Sequence, residues 1–425
     1  MQAIISPIKI KGTITAPASK SAMQRACAAA LIKKGTTVLH NPGISADDQA
    51  ALNIIRQLGA SYSEEENNVI IKSNGIQPIS DNIHCDESGL SIRMFTSIAA
   101  LSSQAITITG GGSLLKRPLS FFDEVFPSLN VNCFSNKGYL PLQVKGPLQP
   151  KDITVDGSLS SQFLTGLLFA YSAANASGIT IKVDNLNSKP YVDLTLQILK
   201  DFGLKVPENK NYQEFYFNNS INQSKSTDQP LSYTVEGDWS NAAFLLVAGA
   251  IAGDIAVQGM SLDSVQGDKK ILDVLNMSNA QVNIQHNAIH VAESNLKAFE
   301  FDATDCPDLF PPLVALAAYC NGVSKIKGVH RLTHKKSNRA ATLQQEFNKM
   351  NVTICFENDV MVVEGGNVIE SAEVSSHNDH RIAMACAIAG LKANGKTTIN
   401  HSEAVNKSYK NFWLDLNKLQ ANSAC

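Results

Sequence analysis

The feature that most constrains this chain is an internal repeat. Six apolar helices rich in small residues are predicted over Ala22–Lys33, Ile92–Ser102, Gln162–Ala174, Asn241–Ala252, Phe310–Cys320 and Arg381–Ala393. A short turn and a strand follow each, as in TTVLH after Gly35, ITIKV after Gly178 and DIAVQ after Gly253. Gly35, Gly178, Gly253, Gly322 and Gly395, with Ala105 in the second slot, recur at intervals of about 70 residues. Each unit then has a second, amphipathic helix: Asp47–Leu58, Ser120–Leu129, Val192–Phe202, Lys269–Leu275, Ala340–Met350 and Tyr409–Leu419. Short strands such as NNVIIKS and DVMVVEG complete most units. The last unit stops after its second helix, whereas spare strands in IISPIKIKGTITAP precede the first. The N-terminus is therefore expected to complete the last unit.

Six βαβαββ units in 425 residues exceed what one core or one doubly wound sheet accommodates. The expected fold is α/β: a two-domain, inside-out α/β barrel built from six repeats, three per domain. The first helices pack inside, as MACAIAGL, apolar nearly all round, requires. With the N-terminal strands assigned to the last unit, the chain crosses between domains twice, near residues 15–20 and 225–232. Residues 1–17 plus 230–425 then form a discontinuous domain carrying both termini, and 18–229 an inserted domain. Ser220–Pro230, polar and ending in proline, reads as a linker.

Composition narrows the function classes. Hydrophobic residues make up 44% and charged residues 17%, which excludes a disordered chain. A net charge of −2 argues against nucleic-acid binding through bulk basicity. No apolar run reaches membrane-helix length, the longest being Ala242–Ala252, and the N-terminus does not read as a secretory signal. Cys27, Cys85, Cys133, Cys306, Cys320, Cys355, Cys386 and Cys425 form no CxxC pair, and most lie in apolar runs. A reduced, cytoplasmic compartment follows. His377 and His380 have only Asp379 beside them, so no metal site is expected. The triplet at 110–112 lacks the GxGxxG spacing of a dinucleotide-binding dehydrogenase.

The segments that start the six inner helices carry the chemistry. They read TAPASKSAMQR, HCDESGLSIRM, TVDGSLSSQFL, TVEGDWSNAAF, FDATDCPDLFP and SSHNDHRIAMA. Helix N-termini bring unsatisfied N–H groups and partial positive charge, which favour anions. Lys20, Arg25, Arg93 and Arg381 lie at or just inside these starts. Arg117, Lys189, Lys335, Arg339 and Lys407 lie in the turns after the repeated strands. Taken singly, Ser19, Ser160 and Asp238 read as ordinary N-caps and the basic residues as solvated turns. Six units in phase favour an anion site instead.

In APASKSAMQRA, SGLSIRMF, KRPL, VDGSLSSQFLTGLL, NSKPYVDLTL, VEGDWSNAAFLL, CPDLFPP, HKKSNRA and NDHRIAMA the chain resembles the enolpyruvyl transferase family, in its shikimate 3-phosphate branch. The resemblance runs in family order from about residue 8 to 416. It implies transfer of the enolpyruvyl group of phosphoenolpyruvate to the 5-hydroxyl of shikimate 3-phosphate, with loss of phosphate, on the way to chorismate and the aromatic amino acids. It also implies a monomer without cofactor, closing its two domains on small-molecule substrates, with no nucleic-acid or membrane partner. Lys20, Ser21, Arg25, Ser160, Ser161, Gln162, Ser188, Asp308 and Lys335 would bind shikimate 3-phosphate. Lys20, Gly89, Arg93, Arg117, Gln162, Arg339, Arg381 and Lys407 would grip phosphoenolpyruvate. Lys20, Asp308 and Lys336 would be catalytic, with Asp308 as base on the 5-hydroxyl. Read alone, Asp308 is instead a helix N-cap after Pro307.

Two departures stand out. Glu87-Ser88-Gly89-Leu90 replaces the family's Asn-Ala-Gly-Thr, and bulky Leu90 implies an altered response to glyphosate, which occupies the phosphoenolpyruvate site in this family. Lys336 stands where the family has a Glu that is a leading candidate for proton transfer. A lysine among cations has a lowered proton affinity and could still exchange protons, or could add charge without chemistry. A weakly active or non-catalytic anion-binding paralogue is thus an alternative. The branch acting on UDP-N-acetylglucosamine is disfavoured, because the loop GGGSLLKRP lacks that branch's reactive cysteine.

Overall fold

The computed structural model describes residues 1–219, 229–285, 288–333 and 335–421. The helices are α1 (Lys20–Ile32), α2 (Ala46–Gln57), α3 (Gly89–Ala99), α4 (Ser120–Val125), α5 (Ser161–Ala173), α6 (Lys189–Asp201), α7 (Trp239–Ala252), α8 (Ile271–Met277), α9 (Phe310–Ala318), α10 (Arg339–Lys349), α11 (His380–Gly390) and α12 (Phe412–Ala421). They alternate as the repeat requires, odd-numbered helices first in each unit and even-numbered second. α1 and α3 start earlier than their apolar patterns indicate, because Ser19 and Ser88 cap them. Ser19 Oγ accepts from the Ala22 amide at 3.3 Å, and Ser88 Oγ from the Ser91 amide at 3.2 Å. α4 is shorter than expected and continues as a 3-10 turn, Phe126–Leu129. Pro127 has no N–H to extend the α-helical ladder.

The chain divides into two compact units, Met1–Pro17 with Glu236–Cys425, and Ala18–Val235. The boundary expected at 229/230 therefore falls at 235/236. The reason is Leu231–Thr234, which pairs in parallel with Gly35–His40 and so extends a sheet of the Ala18–Val235 unit. The expected linker lies outside the described residues except for Gln229 and Pro230.

Strand pairing explains why the termini share a unit. Within a repeat, the strand before the inner helix pairs in parallel with the strand after it. Asn82–His84 pairs so with Ile106–Thr109 around α3, and Ile153–Asp156 with Ile179–Asp184 around α5. The first and fourth repeats exchange this strand. Ile10–Thr15 precedes α1 but pairs with Gly253–Gln258 after α7, while Leu231–Thr234 precedes α7 but pairs with Gly35–His40 after α1. Gln2–Ile5 pairs antiparallel with Thr397–Asn400, with Ile5 opposite Thr397, and so completes the sixth repeat's sheet.

Each unit has its own apolar core. Every residue of α3, α7 and α11 is buried, whereas α2 buries a face that includes Ala51, Ile54 and Ile55. No described helix is long and apolar enough to cross a membrane. The tightest approach that bears on function is α3 against α5. A Cβ at Gly166 would lie 2.7 Å from the Arg93 carbonyl oxygen and 2.9 Å from Ser97 Oγ, so only glycine permits this crossing. Gly166→Ala is expected to cost about 1–3 kcal/mol by overpacking. Urea unfolding checks this, and an unchanged midpoint would show that the helices can separate freely.

Candidate active site

In the Ala18–Val235 unit, side-chain hydrogen bonds tie the first turns of α1, α3 and α5 together. Ser88 Oγ and Ser91 Oγ both donate to Gln24 Oε1 on α1, at 2.9 and 3.0 Å. Arg93 Nη1 on α3 donates to Gln162 Oε1 on α5 at 2.9 Å. Arg25 is 1% exposed and straps α1 to α5 and α6. Its Nε donates to Thr195 Oγ1 at 2.9 Å, Nη1 to the Ser21 carbonyl at 2.8 Å, and Nη2 to the Tyr191 carbonyl at 3.2 Å and Thr165 Oγ1 at 3.5 Å.

Two buried guanidinia face each other in this unit. Burial, and then the charge of Arg117, push Arg93 down to about 9. Arg93 Nε is buried without a hydrogen-bond partner, and the group lies 5.1 Å from the Phe163 ring centre. Arg117 Nη2 donates to Ser113 Oγ at 3.2 Å. A Cβ on Gly89 would lie 2.5 Å from Arg117 Nη1 and 3.4 Å from Arg93 Nη1, so both cations crowd a bare stretch of backbone. An anion between them would relieve their repulsion and regain hydrogen bonds lost to burial. In the same unit, Lys20 Nζ pairs with Asp47 Oδ2 at 3.0 Å. Ser160 caps α5, its Oγ accepting from the Gln162 amide at 3.3 Å, and Ser161 is the first helical residue. Ser188 stands at the N-cap position of α6 in a left-handed conformation, with φ of 58° and no side-chain capping bond.

The other unit builds a cluster around Asp308. Arg339 Nη1 donates to its Oδ1 at 2.9 Å, Arg381 Nη2 to its Oδ2 at 3.0 Å, and Lys335 Nζ lies 3.4 Å from Oδ1. Asp308 is not the N-cap that its place after Pro307 suggests. It sits inside the 3-10 turn Pro307–Leu309, and α9 starts behind Leu309 without a side-chain cap. Arg339 also grips Asp379, with Nε to Oδ2 at 3.1 Å and Nη2 to Oδ1 at 3.3 Å. Burial alone would raise the Asp379 carboxyl, but Arg339 beside it holds it below the usual carboxylate range. Arg381 Nη2 reaches Ser240 Oγ on α7 at 2.9 Å. Desolvation, and then the surrounding guanidinia, push Lys335 down to about 8 although Asp308 opposes this. Lys407 Nζ donates to the Asn378 carbonyl at 2.9 Å, and Lys336 is half-buried next to Lys335 in the chain.

Of the residues singled out from sequence, Lys20, Ser21, Arg25, Gly89, Arg93, Arg117, Ser160, Ser161, Gln162 and Ser188 fall in the Ala18–Val235 unit. Asp308, Lys335, Lys336, Arg339, Arg381 and Lys407 fall in the other. The structure joins Arg93 to Gln162, crowds Arg117 beside Arg93, and gathers Lys335, Arg339 and Arg381 on Asp308. Arg25 is held by four hydrogen bonds within its unit, to Ser21, Thr165, Tyr191 and Thr195. Sequence reasoning missed Gln24, Asp47 and Asp379 as partners of these groups. Asp379 stands within NDHR and Asp47 within a helix start, but their pairings join distant parts of the chain. Arg25→Lys loses the planar fork and is expected to destabilise the protein by about 2–4 kcal/mol in chemical unfolding. An unchanged midpoint would show that the strap carries no load.

Comparisons with known proteins give the family. A sequence model of EPSP synthase (3-phosphoshikimate 1-carboxyvinyltransferase) matches residues 5–416. The 3-phosphoshikimate 1-carboxyvinyltransferase of Clostridium novyi is 34% identical, covering 98% of this chain and 96% of that protein. The Clostridium acetobutylicum protein of the same name is 36% identical over the same shares. The solved EPSP synthase of Acinetobacter baumannii superimposes with a TM-score of 0.81 at 25% identity, covering 99% of this chain and 98% of that one. An enolpyruvyl transferase from Streptomyces tendae, NikO, shares the fold with a TM-score of 0.76 at 16% identity. Motif order, repeat architecture and near-complete coverage converge on one conclusion: the chain belongs to the EPSP synthase family.

Proposed function

We propose that this protein transfers the enolpyruvyl group of phosphoenolpyruvate to the 5-hydroxyl of shikimate 3-phosphate, releasing phosphate. Beyond family membership, the convergence of Arg339, Arg381 and Lys335 on Asp308 carries this reading. The substrates bring two phosphates and two carboxylates, and guanidinia bind such groups in bidentate fashion. In this reading Arg93, Arg117, Arg339, Arg381 and Lys407 hold phosphoenolpyruvate, with Gly89 keeping its space open. Ser160, Ser161, Gln162 and Ser188 hold shikimate 3-phosphate, and Lys20 and Ser21 touch both substrates. Arg25 joins them at shikimate 3-phosphate and also fixes the turns around it. The same reading carries a monomer in the cytoplasm, and glyphosate as an inhibitor at the phosphoenolpyruvate residues, with Leu90 altering the response.

The reaction needs three proton movements. The 5-hydroxyl loses its proton as its oxygen bonds to C2 of phosphoenolpyruvate, and C3 gains a proton. The tetrahedral intermediate then loses phosphate from C2 and a proton from C3. Asp308 is the base on the hydroxyl in this reading. Three cations hold its carboxylate in the structure, and substrate anions would compete with it for Arg339 and Arg381. Lys20 and Lys336 are the candidates for the proton at C3.

Lys336 supports a second reading, an anion-binding relative with little turnover. The test is phosphate release from the two substrates together, run beside Lys336→Glu. Robust turnover by the protein as it stands is the expected result. Binding of both substrates without turnover in either form would establish the second reading. Affinity for shikimate 3-phosphate is expected to fall above about pH 8, as the lowered Lys335 loses its proton and its charge. Lys335→Arg keeps its charge and should flatten that fall. Calorimetric titration at pH 7 and pH 9 reads the difference.

A further inference from the structure

Glu346 on α10 is wholly buried, yet it takes no part in the chemistry above. A buried carboxylate is costly unless fully satisfied. Here Oε2 accepts from Lys349 Nζ at 2.7 Å and from the Ser375 amide at 2.8 Å, while Oε1 lies 2.7 Å from His377 Nε2. Two of these three partners belong to the turn that leads into α11. Burial opposes the charge, but Lys349 and His377 outweigh it and hold the carboxyl below its ordinary range.

That turn is held in an uncommon conformation. His377 and Asn378, consecutive and neither of them glycine, have φ of 49° and 59°. Left-handed conformations in non-glycine residues cost energy and persist where the surroundings impose them. What the turn presents is directly functional. Asn378 offers its carbonyl to Lys407 Nζ, and the next residue, Asp379, clamps Arg339. A single turn therefore sets two cations that come from distant parts of the chain.

We propose that Glu346 and His377 are positioning residues, which fix the 375–379 turn and through it the placement of Arg339 and Lys407. The inference rests on the reading that assigns Arg339 and Lys407 to phosphoenolpyruvate. Neither residue touches substrate. Their effect is on how precisely the two cations meet the anion, and small misplacements of such groups are expensive.

The test compares His377→Asn with His377→Gln in the full-length protein, with Lys407→Met alongside. Asparagine tolerates the left-handed turn but is too short to reach Glu346, whereas glutamine keeps a donor at that reach. His377→Asn should raise the KM for phosphoenolpyruvate on the order of tenfold, with a much smaller change in the KM for shikimate 3-phosphate. His377→Gln should restore most of the loss, and Glu346→Gln should reproduce the pattern more weakly. Unchanged KM values in His377→Asn, while Lys407→Met raises the KM for phosphoenolpyruvate, would overturn the positioning role. So would equal rises for both substrates accompanied by a lower thermal midpoint, since that is the mark of general destabilisation. No effect of Lys407→Met on the KM for phosphoenolpyruvate would overturn the assignment of that lysine and the inference with it.

Discussion

The structure depends on burying the inner helices of its repeats. α3, α7 and α11 have no exposed residue, so their polar ends cannot rely on water and must be satisfied by protein groups. Ser88, Asp238 and Asp379 do this as N-caps. Polar and charged side chains therefore gather at the starts of these helices, where the backbone already carries partial positive charge. An anion site is the natural product of that arrangement.

The two units solve the same problem with different balances of charge. In the Ala18–Val235 unit, Arg93 and Arg117 are crowded together over Gly89, and the positive potential is raised by their repulsion. In the other unit, Arg339 and Arg381 are balanced by Asp308 and Asp379. The first arrangement gains most from an arriving anion. The second can exchange one carboxylate for another, which fits the proposal that Asp308 accepts a proton from the 5-hydroxyl. Glu346 extends this logic outward, since a fully satisfied buried carboxylate makes a rigid anchor for the turn it holds.

Much of this was legible in the chain itself. The six-fold repeat and the apolar inner helices follow from periodicity, and Gln2–Ile5 completes the last repeat as expected, whereas Ile10–Thr15, the other N-terminal strand, joins Gly253–Gln258 of the fourth. Boundaries were less legible. Residues from 230 onward read as part of the domain carrying both termini, but Leu231–Thr234 joins the Ala18–Val235 unit, because its strand pairs with Gly35–His40, almost two hundred residues away. Helix starts shifted wherever a capping serine preceded the apolar pattern, as at Ser19 and Ser88.

The sequence by itself determined the repeat, the residue types at each helix start, and a family resemblance that names Arg93, Arg339 and Arg381 as anion-binding residues. These are local properties, carried by spacing and composition. Only the tertiary structure decided how each charge is used. Arg25 and Arg93 both lie in the second turn of an inner helix, yet one bonds to Thr195 and Tyr191 and the other stands beside Arg117 with a buried Nε unbonded. Asp308 reads as a cap and is held by cations instead, and Glu346 reads as one polar residue on an outer helix and anchors a strained turn. The difference lies in long-range pairing. The desolvation and charge that govern these groups come from residues far away in the chain, and no local pattern encodes them.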